Sequence, residues 1–392
     1  MFTSLIARTL SSTISLESDE FQVILIEGMP QCGKTTLAQS LFRNLPYIDL
    51  SDVHPRNLAQ TNPSAFFPVY GKQLVLDEIQ LVPELIEALP APDPDLKIIL
   101  IGNLPQTIRE GILAKYPSKR YVLTPFSQKE YVGGSADLFG QNPIALTMTY
   151  PRPGFFDSLR NGFLPRADLQ LSNHAFYEGW LGDFFFNVVR PVMKVAKEVE
   201  FLNFMKAIAR ANMQELNHFK LAEESGISYG TAMYWADFLL EAHIIMEVPS
   251  LQLAQRRQVK RPKVTYTDSG LLCHLLQIHD TPALLSSPAY LSILEGHVAS
   301  EIAKGYRAWG EELPLFFYRD TAKKHIELVL KTKTGLLPIG FLSARARSIT
   351  ESLRHMRVLE RMGENTREPV FISDGTLVLP ATDYPVISAA ML

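Results

Sequence analysis

Cysteine is nearly absent: the 392 residues contain only Cys32 and Cys273. That excludes a disulfide scaffold and fits a reducing, cytoplasmic compartment. Long apolar runs are missing as well. No stretch approaches the roughly 20 apolar residues that a membrane helix needs, so no membrane partner is expected. The opening "MFTSLIARTLSSTISLESDE" has no extended apolar core and turns acidic by Glu17, which argues against a secretory signal. Charge of one sign is lacking too. With 38 Lys and Arg against 41 Asp and Glu, the net charge is −3, so any nucleic-acid binding requires a local patch. Internal repeats and low-complexity tracts are not seen.

What is present is apolar mass. Hydrophobic residues make up 46% of the chain and charged residues 20%, which suits a globular protein. The length exceeds one ordinary core and predicts roughly two to four domains. "FQVILIE" (residues 21–27) reads as a buried parallel strand, and a helix is expected over 35–42. Further strands are expected at "YIDLSD" (47–52), "QLVLDE" (73–78) and "LKIILIGN" (96–103). Alternating strands and helices predict a parallel α/β sheet. Beyond Tyr131, "VGGSADLFGQNP" and "YPRPGF" are rich in breakers and mark an irregular segment. Residues 173–242 have helical periodicity. Later come a strand "HIIMEV", a basic loop "QRRQVKRPK", a strand "VTYTD", a helix over 291–309 and strands in "LFFYRD", "HIELVL" and "LLPIGFL".

The chemistry concentrates at Gly28-Met-Pro-Gln-Cys-Gly33-Lys34-Thr35, which fits G-x-x-x-x-G-K-[ST] between a strand and a helix. Glycines let such a backbone curl round phosphates, and amides at a helix N-terminus supply positive partial charge. Gly28, Gln31, Cys32, Gly33, Lys34, Thr35 and Thr36 are therefore candidate nucleotide-binding residues. Pro30 has no amide to offer, so the later positions must do most of the cradling. Cys32 reads as a loop filler more readily than as a redox switch. In this pattern Lys34 reaches the β- and γ-phosphates of ATP, and the Thr35 hydroxyl binds Mg²⁺. "LVLDEIQ" supplies the partner site. Asp77 would complete the metal shell, and Glu78 would orient the attacking water, which makes Glu78 and Lys34 the catalytic candidates. Asn103, at the end of a strand, is either a γ-phosphate sensor or a turn former.

The motifs "GMPQCGKTTL", "YIDLSD", "NPSAFF", "LVLDEIQ", "LTPFSQKE", "WLGDFFFNVVR", "LAEESGISYGTAMYWADFLLEAHII", "KVTYTDSGLL", "LEGHVASEI" and "FFYRDTAKKHIELVL" occur in that order. In this the chain resembles the bacterial and archaeal AAA-type P-loop ATPases that carry a C-terminal domain of unknown function with a nuclease-like fold. The resemblance implies an α/β multidomain protein: a parallel-sheet ATPase core, a helical and winged-helix middle, and a C-terminal α/β nuclease-like domain. The expected division is a lead-in at 1–20, the core at 21–135, a helical and linker segment at 136–200, a winged-helix module at 201–268 and a degenerate nuclease-like domain at 269–392. Members often have Arg where Pro30 stands. They usually carry a Leu-x-Gly-Arg stretch whose arginine acts across a subunit interface in a homo-oligomer. Here that region reads "LAKYPSKR", which leaves Arg109, Arg120 and Arg190 as substitutes.

Two further modules have weaker signals. Residues 217–242 resemble a helix-turn-helix with Ser228 as N-cap. Residues 221–255 contain no Lys or Arg, and Glu223, Glu224, Asp237, Glu241 and Glu247 would repel a DNA groove. The adjoining Arg256, Arg257, Lys260, Arg261 and Lys263 are the candidates for non-specific nucleic-acid contact, or else a solvated hairpin tip. In the tail, the resemblance implies a nuclease carboxylate set of which Glu295 and Glu327 survive. His325, Gly340 and Leu342 stand where a Glu, a Glu and a Lys belong. Loss of a carboxylate and the activating amine predicts no DNA cleavage. Arg345 and Arg347 make that face mildly basic or simply solvated. His274 and His279 have no third ligand nearby in sequence, which argues against a metal there. Trp180, Trp235 and Phe184, Phe185 and Phe186 read as core. The resulting expectation is a Mg²⁺-dependent ATPase, slow without an arginine finger. A non-hydrolysing nucleotide-dependent scaffold or DNA-associated regulator is the alternative.

Overall fold

The computed structural model describes residues 6–136, 138–140, 154–166, 171–193, 197–253, 260–376 and 384–392. Five strands, β1 (Val23–Gly28), β2 (Tyr47–Asp49), β3 (Gln73–Asp77), β4 (Lys97–Ile101) and β5 (Ser118–Leu123), form a sheet in the order β2-β3-β4-β1-β5. All four of its pairings are parallel. Parallel strands need both faces covered, and their residues divide accordingly. Ile24, Ile26, Val75, Ile99 and Ile101 enter one core, while Val23, Leu25, Leu74, Leu76, Ile98 and Leu100 enter the other. The second core is closed by the helices Val53–Thr61 and Pro63–Tyr70 through Ala59, Phe66 and Phe67.

The other face of the sheet does not end at a domain border. Its core runs on through Trp180, Phe201, Trp235, Ile293 and Leu328. Helix Glu198–Arg210 buries Phe201, Phe204, Met205 and Ile208, a spacing that lines one helical face. Phe201 and Phe204 meet Trp235 edge-on at 5.1 and 5.6 Å between ring centroids. Helices His218–Ser225 and Tyr229–Glu241 start on the side-chain caps of Asn217 and Ser228. They lie between the first and second strands of an antiparallel sheet of β6 (Gln214–Glu215), β7 (Ile245–Val248) and β8 (Lys263–Tyr266), ordered β6-β8-β7.

The third sheet is mixed. Strands β9 (Leu315–Arg319), β10 (His325–Thr332) and β11 (Gly335–Leu342) are antiparallel neighbours, and β12 (Val370–Ser373) and β13 (Val386–Ser388) join in parallel. Before β9 runs the almost wholly buried helix Tyr290–Ala308, which ties this part to the first sheet. Its Lys304 ammonium donates to the Phe126 carbonyl at 3.0 Å and to Glu301 at 2.6 Å, and the Gln128 amide donates to Glu301 at 2.8 Å. A buried charge pair with its remaining oxygens satisfied holds a specific alignment.

The elements expected over 21–103 and 291–342 appear within a few residues of their expected ends. Strand β5 was not anticipated. It begins with Ser118, Lys119 and Arg120 and reads as polar, yet it pairs with β1 from Val23↔Ser118 to Gly28↔Leu123. Phe186 is a correction: it is 53% exposed, while Phe184 and Phe185 are buried. The helix Asn173–Phe184 passes into a π-helical turn, Phe185–Val189, and such a turn shifts the direction of the side chains that follow. Most of the segment read as a linker, residues 137 and 141–153, lies outside the described residues.

Candidate functional site

The loop after β1 rises from the middle of the parallel sheet and ends in the helix Lys34–Leu41. Two positions there need glycine. Gly28 has φ 150°, and a Cβ on it would lie 2.0 Å from the Leu123 carbonyl oxygen of neighbouring β5. Gly33 has φ 100°. Gln31 takes φ 61°, the left-handed region that non-glycine residues seldom adopt. The backbone therefore curls between Gly28 and Lys34, with the helix N-terminus at its far side. Cys32 packs inward, with Sγ 3.3 Å from the Leu123 carbonyl, and burial pushes its thiol pKa up. Its side chain is thus a support for the loop. Thr36 is exposed at the helix start.

The Lys34 ammonium donates to the carbonyls of Gly28 at 3.0 Å and Met29 at 3.1 Å, across the mouth of the loop. The Thr35 hydroxyl donates to Asp77 Oδ2 at 2.6 Å. Asp77 ends β3, two strands away from β1, and is buried. Tyr47, on β2, donates to the same Oδ2 at 2.5 Å, and the Glu78 amide donates to Oδ1 at 2.8 Å. Burial, and then the Asp77 charge, raise the Tyr47 pKa, so its hydroxyl stays a donor. Thr35 and Asp77 present hard oxygen donors to one point, the donor type Mg²⁺ takes. Glu78 follows with φ 57°, and its carboxylate accepts from the Gln80 amide. Burial raises the Glu78 pKa, with Asp77 adding to that and Lys34 opposing it. Gly102 makes room for this arrangement: a Cβ there would lie 2.0 Å from Gln80 Oε1.

Asn103 clamps the base of the loop. Its Oδ1 accepts from the Gly28 amide at 2.9 Å and its Nδ2 donates to the Gly28 carbonyl at 3.1 Å. Both of its polar atoms are thus bound to the loop's first residue. Three contacts not foreseen from sequence come from outside the first sheet. Trp180 Nε1 donates to the Pro30 carbonyl at 3.3 Å, Gln31 Nε2 donates to Asp183 at 3.1 Å, and the Thr267 hydroxyl lies 3.7 Å from Met29 Sδ. Nothing in their spacing along the chain links these residues to the loop.

Of the three arginines weighed as fingers, two are engaged within the chain. Arg120 Nε donates to Glu27 at 2.5 Å, and Arg109 Nη1 lies 3.5 Å from the same carboxylate. Arg190 is exposed. Glu27 is the residue before Gly28. Burial pushes its carboxyl pKa up, but His243, Arg120 and Arg109 more than offset this and hold it at about 2.

The basic wing is corrected in part. Arg256 and Arg257 lie outside the described residues. Lys260 and Arg261 are exposed. Lys263 is buried on β8, with Nζ 5.1 Å from the Phe317 ring centroid, so it does not belong to a phosphate-contacting tip. It is turned instead toward the C-terminal carboxylates. Burial lowers its pKa, and the charges of Glu295 and Glu327 oppose that. Burial raises Glu295 to about 7. Arg347 donates to Glu327 at 2.7 Å and is spent within the chain, whereas Arg345 bonds the Ser286 carbonyl at 3.0 Å and keeps its charge at the surface. At Gly340 a Cβ would lie 2.7 Å from Phe371 Cε1 and 3.0 Å from Met356 Cε. The space a carboxylate would need is filled by those side chains. Among the described residues, Glu295 and Glu327 join no third group within metal-ligating reach.

Known protein families match the same part of the chain. Residues 20–132 match the family described as AAA domain, and residues 155–281 match a domain of unknown function, DUF8612. Two uncharacterised proteins, Mb2031c of Mycobacterium bovis and Rv2008c of Mycobacterium tuberculosis, are each 24% identical over 347 residues, covering 85% of this chain and 73% of theirs. The Walker-type ATPase PABY2304 of Pyrococcus abyssi aligns over 68% of this chain and 94% of its own, at 12% identity and a TM-score of 0.40. Among the described residues no helix is long and apolar enough to cross a membrane. Residues 20–132 thus carry an AAA domain built round a P-loop.

Proposed function

We propose that the protein binds ATP with Mg²⁺ and hydrolyses it, and that the nucleotide state is passed to the helical and C-terminal parts. The observation that carries this reading is the 2.6 Å bond between the Thr35 hydroxyl and Asp77 beneath the loop. It joins the two side chains that would hold the metal. Loop amides from Gln31 to Thr36 and the Lys34 ammonium would hold the phosphates. Mg²⁺ supplies charge neutralisation at the β- and γ-oxygens when bound. Glu78, held by Gln80, would orient the attacking water. Trp180, Asp183 and Thr267 touch the loop from the middle of the chain, so a change in loop shape has a short path outward.

The C-terminal part is read as a silent relative of nucleases. Lys263 and Arg347 neutralise the surviving carboxylates from within the chain. Plasmid DNA incubated with the protein and Mg²⁺ is expected to remain supercoiled, and a linear or nicked product on a gel would defeat this part of the reading. The helix Tyr229–Glu241 exposes Tyr229, Met233 and Tyr234 and carries no Lys or Arg, which favours a connecting role over reading DNA.

The test is steady-state ATP hydrolysis against Mg²⁺ concentration, for wild type and Thr35→Ala. Loss of a metal ligand is expected to raise the Mg²⁺ requirement by at least roughly tenfold, since even outer partners of a ligand are worth about 10–100-fold. Wild-type ATP binding without turnover would leave a nucleotide-dependent scaffold in place of an enzyme.

A further inference from the structure

Sequence spacing leaves His274 and His279 without a third ligand, but the fold supplies one from about a hundred residues earlier. Helix Asn173–Phe184 carries His174 and Glu178 one turn apart, on the same face. Helix Ser269–Leu275 carries His274. Ring nitrogens of His174 and His274 and a carboxylate oxygen of Glu178 all lie within 4.8 Å of one another. Glu178 Oε1 is 3.1 Å from His274 Nε2. The His174 ring centroid is 5.2 Å from that of His274 and 5.7 Å from that of His279. Together these side chains line a cavity of about 140 Å³.

We propose that His174, Glu178 and His274 form a three-ligand site for a transition-metal ion of the Zn²⁺ class, with His279 lining the same cavity. Two imidazoles and a carboxylate are a borderline set that suits Zn²⁺ and does not suit Mg²⁺. In a tetrahedral Zn²⁺ site, ligand atoms sit roughly 3.3 Å apart, so small side-chain rotations close the site. The frame is already fixed. Asp268 caps the second helix at the Leu271 amide, 2.9 Å away, and accepts from the Tyr177 hydroxyl of the first helix at 2.5 Å. A backbone held this way brings the donors together at little cost in order. Lys206 also lines the cavity, a positive group that the Glu178 carboxylate counters.

The first helix is also the one whose Trp180 and Asp183 touch Pro30 and Gln31. An ion at its start would fasten it to the second helix a turn away from the phosphate loop. This inference does not depend on ATP hydrolysis.

The experiment uses full-length protein without a histidine tag, no nucleotide, and zinc alone as the probe in calorimetry. Binding of one ion per chain is expected. His174→Ala and Glu178→Gln should each weaken it by at least roughly tenfold, and His54→Ala, an exposed control, should not. Co²⁺ in place of zinc should give the strong visible absorption of a tetrahedral site, and lose it in His174→Ala. Absence of zinc binding to folded wild type would overturn the proposal. So would binding that His174→Ala leaves unchanged. His174 is exposed, so this variant is expected to fold as wild type does, checked by its circular dichroism spectrum.

Discussion

Changing Glu78 to glutamine is expected to lower ATP turnover by roughly 10²–10⁴-fold and leave ATP affinity within about threefold of wild type. Glutamine keeps the size of the side chain and the left-handed backbone, and loses the carboxylate. The geometry gives reasons for a large effect. Glu78 directly follows Asp77, whose Oδ1 accepts its amide, and Gln80 holds its carboxylate. The φ of 57° is a strained conformation for glutamate, and such strain gathers at working sites. Lys34→Ala should behave differently, losing affinity and turnover together, because it removes the charge proposed to meet the phosphates. Burial raises the Glu78 pKa, so activity should fall on the acid side at a higher pH than an ordinary glutamate would dictate. The measurements are single-turnover hydrolysis, nucleotide binding and a pH profile. Turnover of Glu78→Gln within tenfold of wild type would remove Glu78 from the chemistry.

Glu27→Gln is expected to destabilise the protein by about 3–5 kcal/mol, toward the lower end because Arg120 keeps some solvent contact. Glu27 is fully buried one residue before the phosphate loop. Its oxygens meet Arg120 at 2.5 Å, Arg109 at 3.5 Å and His243 at 3.6 Å. Removing the carboxylate charge leaves the two guanidinium groups uncompensated. The same cluster sets a pH dependence. Burial is the main cause that lowers His243 to about 4, against an ordinary 6.5, so the unfolded chain takes up that proton first. Stability from His243 is complete above about pH 6.5 and is lost as pH falls toward about 4. Glu27, held at about 2 against 4.5, adds a second loss below about pH 4.5. Both shifts act in one direction, so acid should unfold the wild type in this window. Urea unfolding of both forms at pH 7, and of wild type down through about pH 4, measures the variant's cost and the pH dependence. A Glu27→Gln variant as stable as wild type at pH 7 would show that the cluster is not a stabilising hub.

Much of the site was legible because its chemistry is local. The strand, the glycines, Lys34 and Thr35 lie within a dozen residues, and the physics of phosphate binding restricts which residues can stand there. Asp77 and Glu78 were legible because paired carboxylates at the end of an apolar strand are costly without a purpose. Strand β5 was not legible, because Lys119 and Arg120 disguise it. Arg120 stands opposite Leu25 on β1 and reaches the Glu27 carboxylate two residues along, a contact that exists only across the sheet. Lys263 misled for the converse reason: a basic run reads as a solvated tip, but the last residue of this one points into the C-terminal part. Tyr47, Gln80, Trp180 and Asp183 reach the site by folding, and their residue types carry no signal of it.

The sequence alone therefore determined the class of the first domain, the candidate positions for phosphate and metal, and where most strands fall along the chain. Those follow from short-range periodicity and from backbone conformations that few residues tolerate. Tertiary structure alone decided that Arg109 and Arg120 are engaged, since both guanidinium groups meet the buried Glu27 carboxylate. It likewise decided that Asn103 clamps the loop, that the C-terminal carboxylates face Lys263, and that His174, Glu178 and His274 converge. Each of these depends on contacts between residues far apart in the chain, and spacing along a sequence does not encode distance through a folded core.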